Sequence, residues 1–111
     1  MDLASFYKCL SEQTRLRIVN LLLQGKPLCV CQIQEALQEP QVKVSKHLGY
    51  MKSRGLLTLQ RKANWNFYEI GPEVGAIERQ TLEALKSNAN SQSDLAVDLE
   101  RLRKAQDSEC C

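Results

Sequence analysis

Proline and glycine cut this chain into pieces that suit only short elements. Gly25 and Pro27 stop one apolar run, Glu39-Pro40 the next, Gly55 a third and Gly71-Pro72 a fourth. Proline lacks a backbone donor and clashes with the preceding helical turn, so it belongs at helix starts or outside helices. Between the breaks, apolar residues recur at helical spacing. Leu3, Phe6, Tyr7 and Leu10 share one face. "EQTRLRIVNLLLQ" follows, with Ser11 as its cap and Leu16, Val19, Leu22 and Leu23 turned to a core. "CVCQIQEAL" reads as a short third helix. A fourth opens at Pro40, runs to about Arg54 and ends at Gly55, a left-handed C-cap.

Two strand-like runs come next, "LLTLQRK" and "WNFYEI", with Ala63 and Asn64 at the turn and the positive φ expected on Asn64. Pro72 then opens a helix bearing Val74, Ile77, Leu82 and Leu85. "SNANSQS" (87–93) is a poor helix former, either a break or a weak bridge. Leu95, Leu99 and Leu102 form a narrow stripe on a last helix. The order predicts a mainly α protein with a β-hairpin, a winged helix-turn-helix. With 111 residues it makes one domain, 1–111. The helix-turn-helix spans 29–54, the wing 57–70 and a cysteine-containing tail 107–111.

Net charge is only +2, but its distribution is uneven. Residues 1–39 are neutral. Residues 40–68 carry Lys43, Lys46, Lys52, Arg54, Arg61 and Lys62 with no acid, a net +6, and the remainder is net −4. A contiguous basic segment over a helix-turn-helix suggests a nucleic-acid face. On the fourth helix Val44, Leu48 and Met51 lie on one side. Gln41, Val42, Ser45, Lys46 and Gly49 lie opposite, at about 100° per residue. A short amide, a hydroxyl, a cation and a glycine are what a major-groove reader needs.

No apolar run reaches transmembrane length, and charges begin at Asp2 and Lys8. A cytosolic protein without signal peptide, anchor or membrane partner is expected. There the five cysteines (Cys9, Cys29, Cys31, Cys110, Cys111) should be reduced. Thiols grouped in pairs point to metal, metalloid or redox chemistry. Cys9, in an apolar stripe, reads as core.

"SEQTRLRIVNLL", "LCVCQI", "VSKHLGYMKSRGLL" and "RKANWNFYEI" together resemble the ArsR/SmtB family of winged-helix repressors over about residues 4–72. The resemblance implies a homodimer that represses an operon until a toxic metal or metalloid binds, and no enzyme activity. Residues 1–10 and 73–106 would be its dimerisation helices. Leu3, Phe6, Leu95, Leu99 and Leu102 are expected at that interface. The resemblance is greatest to the arsenic and antimony sensors. It puts DNA contacts on Gln41, Lys43, Ser45, Lys46 and His47, and wing contacts at Arg61 and Lys62. DNA binding then needs no cofactor. The sequence departs from the family pattern at Gln34, where the arsenite sensors carry a third cysteine, at Pro40 in place of an N-cap serine, and in a wing turn without glycine.

Arsenic(III) and antimony(III) are soft and prefer thiolates. A helix N-terminus favours thiolate, so Cys29 and Cys31 are placed to ionise. On a regular helix they would point about 200° apart. The sequence therefore predicts that the first turn must unwind before both sulfurs meet one ion, and that this unwinding is the switch. Cys110 and Cys111 are candidates for further thiolates. Alternatives are a redox-sensing or soft-metal (cadmium or lead) repressor, and more remotely an enzyme built on the Cys-x5-Arg spacing of Cys9 to Arg15.

Overall fold

The fold is described for residues 1–106 from a computed structural model. Helices α1 (Leu3–Leu10) and α2 (Gln13–Leu22) are followed by a two-residue strand β1 (Leu28–Cys29). Helices α3 (Val30–Leu37) and α4 (Gln41–Ser53) lead into the hairpin β2 (Leu57–Lys62) and β3 (Trp65–Ile70). Helix α5 (Ala76–Asn88), a 3-10 turn (Ala89–Ser91) and α6 (Ser93–Gln106) complete it. The strands form one antiparallel sheet in the order β1-β3-β2. This is a winged helix-turn-helix.

Local chemistry sets the breaks. Asp2 caps α1 by accepting from the Ser5 amide at 2.7 Å. Glu12 caps α2 through the Arg15 amide at 3.0 Å. The expected cap Ser11 instead closes α1, its hydroxyl donating to the Lys8 carbonyl at 2.7 Å. Carboxylate at this position complements the positive end of the helix better than the hydroxyl would. Gln38, left-handed at φ 57°, ends α3, and Pro40 is the N-cap of α4. Gly55, at φ 88°, turns the chain from α4 into β2, a conformation costly to other residues.

Two further expectations are corrected. The hairpin's positive φ falls on Ala63 (54°), not Asn64. Helix α5 begins after Gly75 rather than at Pro72. Of the two alternatives for residues 87–93, the structure shows the break: residues 89–91 form a 3-10 turn between α5 and α6.

The core gathers Phe6 and Cys9 of α1, Ile18, Val19, Leu21 and Leu22 of α2, Ile33 and Leu37 of α3, and Val44, Leu48 and Met51 of α4. It also takes Leu82 and Leu102. Phe6, Leu95 and Leu102 are thus buried within a single chain, and Leu99 is half-buried. They are not the uncovered interface surface expected from sequence. The reason is that α6 lays its apolar stripe against the chain's own α2 and α3. Leu3, Tyr7 and Ile77 on α1 and α5 are the large apolar side chains that stay exposed there.

Helix α6 is tied down by charge as well. Asp98 is 1% exposed and receives Arg17 Nε at 2.8 Å and Nη2 at 2.9 Å. The same Nη2 donates to the Leu37 carbonyl at the end of α3 at 2.8 Å. One guanidinium therefore joins α2, α6 and the start of the helix-turn-helix turn. That bidentate geometry is why arginine, not lysine, suits the position.

Candidate nucleic-acid interface and thiol site

Helix α4 presents the face the periodicity predicts. Val44, Leu48 and Met51 are buried, while Gln41, Val42, Lys43, Ser45, Lys46 and Gly49 are exposed. Arg61 and Lys62 are exposed near the hairpin tip, opposite Asn66 and Trp65. Lys43 is not free: its Nζ lies 3.0 Å from Glu39 Oε1, one turn back.

His47 stands apart from that face. Its side chain is only 12% exposed, turned toward α2. Arg15 Nη1 lies 3.3 Å from Nδ1, and Glu12 Oε2 lies 3.5 Å from Nε2. An arginine only donates, so Nδ1 accepts and the proton sits on Nε2, facing Glu12. Burial pushes the imidazole below its ordinary value; Glu12 opposes this, while Arg15, Lys46 and Lys43 add to it. The side chain thus faces α2 rather than the exposed face of α4 that carries Gln41, Ser45 and Lys46.

Sequence alone offers Arg15 only as the end of the remote Cys-x5-Arg spacing, and the structure gives it a different role. Its Nε and Nη2 donate to the carbonyls of Cys9 and Lys8, both at 3.1 Å, at the open end of α1. Its guanidinium also lies 4.1 Å from the centre of the Tyr50 ring, and that of Arg54 lies 3.4 Å from it. Hydrogen bonds to α1 and cation–π contact with Tyr50 of α4 thus let Arg15 of α2 join all three helices. The partners of this arginine lie on three helices, so "SEQTR" by itself does not show its part in joining them.

The thiols differ from expectation most. Cys29 is not on a helix: it is the N-cap of α3, extended at φ −85° and ψ 165°. It is also paired with Phe67 across the sheet. Its amide donates to Gln32 Oε1 at 3.1 Å. Cys31 is the second residue of α3. The two sulfurs lie 3.3 Å apart, so no helix unwinding is needed to bring them together. The extended N-cap removes the helical rotation that the sequence argument assumed.

A 3.3 Å separation tests what the pair fits. With metal–sulfur bonds of about 2.3 Å, it corresponds to an angle of about 90° at the shared centre. A tetrahedral centre would want the sulfurs about 3.8 Å apart. Trivalent arsenic and antimony carry a lone pair and are pyramidal, with angles nearer the former. Two soft donors at the positive end of a helix suit such a centre. Among the described residues, no group of three Cys, His, Asp or Glu side chains is gathered for a metal. Cys110 and Cys111 lie outside the described residues.

The pair opens on a cleft of ≈ 230 Å³ whose other walls include Gln41, Asn64, Trp65 and Asn66. The thiols thus touch the same space as the first residue of α4 and the tip of the hairpin. Cys9 is elsewhere, fully buried at the end of α1. Burial pushes its thiol up, against the pull of Arg15 and Arg54. Arg15 bonds the carbonyl of Cys9, and the Cys-x5-Arg segment lies on two helices rather than in an oxyanion loop.

A family model described as "Bacterial regulatory protein, arsR family" matches residues 12–58. The arsenic resistance transcriptional regulator ArsR2 of Pseudomonas putida is 34% identical over 108 residues, covering 95% of this chain and 94% of its own. The chain belongs to the arsR family. The arsenical resistance operon repressor of Escherichia coli is 39% identical over 70 residues, 63% of this chain and 60% of that one. The transcriptional repressor PagR of Bacillus anthracis superposes with a TM-score of 0.63 at 32% identity, over 74% of this chain and 90% of its own. This arsR-family chain is therefore a DNA-binding transcriptional regulator rather than an enzyme. Among its described residues no helix is long and apolar enough to cross a membrane.

Proposed function

We propose that this arsR-family regulator is a metalloid-responsive repressor. It binds double-stranded operator DNA as a homodimer and leaves it when trivalent arsenic or antimony joins Cys29 and Cys31. The observation that carries this reading is the thiol pair itself. Its sulfurs are 3.3 Å apart, and its cleft is walled by Gln41 and Trp65. An effector seated there meets both elements that would touch DNA.

In the complex, Gln41, Lys43, Ser45 and Lys46 read the major groove, and Arg61 and Lys62 meet phosphate. His47 positions α4 from behind. Leu3, Tyr7 and Ile77 on α1 and α5 supply the dimer contact. Names of the relatives support the effector class, since the Pseudomonas putida and Escherichia coli proteins are arsenic-resistance regulators.

The test is titration of the purified protein on its own promoter with arsenite, antimonite, methylarsenite, cadmium and zinc. Trivalent arsenicals and antimonite should release DNA at lower concentration than zinc or cadmium. A Cys29→Ser/Cys31→Ser protein should bind DNA normally and stay bound. Normal release of that double variant by arsenicals would overturn the assignment. Sulfurs in contact also favour a second reading, oxidation of the pair to a disulfide. Peroxide in place of arsenite separates the two.

A further inference from the structure

The exposed face of α4 carries two residues that the chain's own packing does not explain. Val42 is 83% exposed, the most exposed large apolar side chain among the described residues. Gly49 stands two turns further on, and a Cβ built there would meet nothing within 4 Å. Both are poor helix choices, since valine is stiff at χ1 and glycine leaves the backbone loose. Neither serves the core, which Val44, Leu48 and Met51 fill from the opposite side.

One exposed apolar side chain is ordinary, but the place of this one is not. Val42, Ser45, Lys46 and Gly49 form a single exposed stripe at i, i+3, i+4 and i+7. At about 100° per residue, Val42 and Gly49 lie nearest its centre. Val42 is also the second residue of α4. The N-terminal residues of a recognition helix are the ones that meet base edges.

We propose that Val42 reads a thymine in each operator half-site, packing its γ-methyl groups on the C5-methyl of the base. The inference rests on the groove reading above and deepens it from a groove to a base. In the major groove the thymine methyl is the apolar group among the base edges. A cytosine there would offer an amino donor that valine cannot accept, so the donor would lose its water without a partner. Gly49 puts no side chain between the helix and the groove, which lets the stripe approach closely. Gln41, also exposed, offers an amide suited to adenine. The first turn of α4 thus favours A·T pairs.

The test uses the full-length protein on its own promoter. Each operator thymine is replaced in turn by deoxyuridine, which keeps the base pair and removes only the methyl. One symmetry-related pair of positions should weaken binding, by about fourfold for each methyl lost. In Val42→Ala the same replacements should cost nothing further. Its binding to random-sequence DNA and its salt slope should match the parent's, because no phosphate contact has changed. Val42→Thr keeps a methyl and should keep part of the dependence. Neither substitution touches the core. A parent protein indifferent to every thymine methyl overturns the inference. So does a deoxyuridine profile in Val42→Ala identical to the parent's. Undiminished operator binding by Lys46→Ala is a different failure, that of the groove reading itself.

Discussion

Arg15 Nη1 and His47 Nδ1 lie 3.3 Å apart, joining the second helix to the back of the candidate recognition helix. Because this contact needs a neutral imidazole, the seam is acid-sensitive. His47 is held below its ordinary value by burial, with Arg15, Lys46 and Lys43 adding to the effect and Glu12 opposing it. Stability from this source is fully present above the unfolded value of about 6.5. It is lost as pH falls from there through the depressed folded value. Urea midpoints measured from pH 7.5 to 5 should fall, and the fall should be smaller in His47→Gln. Equal slopes in the two proteins would contradict the neutral tautomer.

Glu39 should restrain DNA binding. It holds Lys43 at 3.0 Å across one helical turn at the start of α4. An exposed pair of this spacing is worth about 0.3–0.5 kcal/mol. Glu39→Gln frees the lysine and removes a negative charge from the groove face. Operator affinity should rise about twofold at low salt, and the gain should shrink as salt screens it. By contrast, Lys46→Ala and Arg61→Ala should each weaken binding and lower the salt slope by about one. Unchanged slopes would remove those residues from the phosphate contacts.

How much of this was legible before folding follows from range. The two faces of α4 came from spacing within one helix, and Val44, Leu48 and Met51 are buried while Gln41, Ser45 and Lys46 are not. Helix-stop signals at Glu39-Pro40 and Gly55 were equally local. Strand β1 was not legible, since two residues carry no alternation and its partners, Phe67 and Tyr68, lie far along the chain. That strand is what takes Cys29 off the helix and puts it beside Cys31. The partner of Arg17, Asp98, is 81 residues away. An apolar stripe such as Leu95, Leu99 and Leu102 does not say whether it meets its own chain or another.

The Arg17–Asp98 pair should matter to stability. Asp98 is almost wholly buried, and its loss leaves a partly buried guanidinium without a carboxylate. Breaking such a pair costs about 3 kcal/mol. Asp98→Ala should lower the urea midpoint accordingly and loosen α6 from α3. Asp98→Asn, which keeps one acceptor, should cost less. Equal stability of Asp98→Ala and the parent would mean that water fully replaces the carboxylate.

Ile77 tests the assembly. It is exposed on α5, near Tyr7, whose hydroxyl is 2.9 Å from Thr81 Oγ1. Ile77→Asp leaves the chain's own core untouched, unlike Asp at Leu102. Sedimentation should show a weakened dimer, and operator affinity should fall with it. Full affinity in a proven monomer would remove the homodimer from the account.

A preformed thiol site and one that must unwind respond differently to the effector. With sulfurs already 3.3 Å apart across an extended N-cap, the effector has no helix to open before it binds. Far-ultraviolet circular dichroism should therefore keep its helical amplitude when arsenical is added to the DNA-free protein. Binding to the folded state should also raise the thermal midpoint, because a ligand held only by that state stabilises it, by about 2.7 kcal/mol at a hundredfold excess over Kd. Cys29→Ser/Cys31→Ser should show no such rise, while Cys9→Ser, altered only in the core, should keep it from its own lower starting point. If helical amplitude falls by the signal of a turn as the midpoint drops, α3 unwinds after all. The route to DNA would then run through that helix rather than through Gln41 and the hairpin tip.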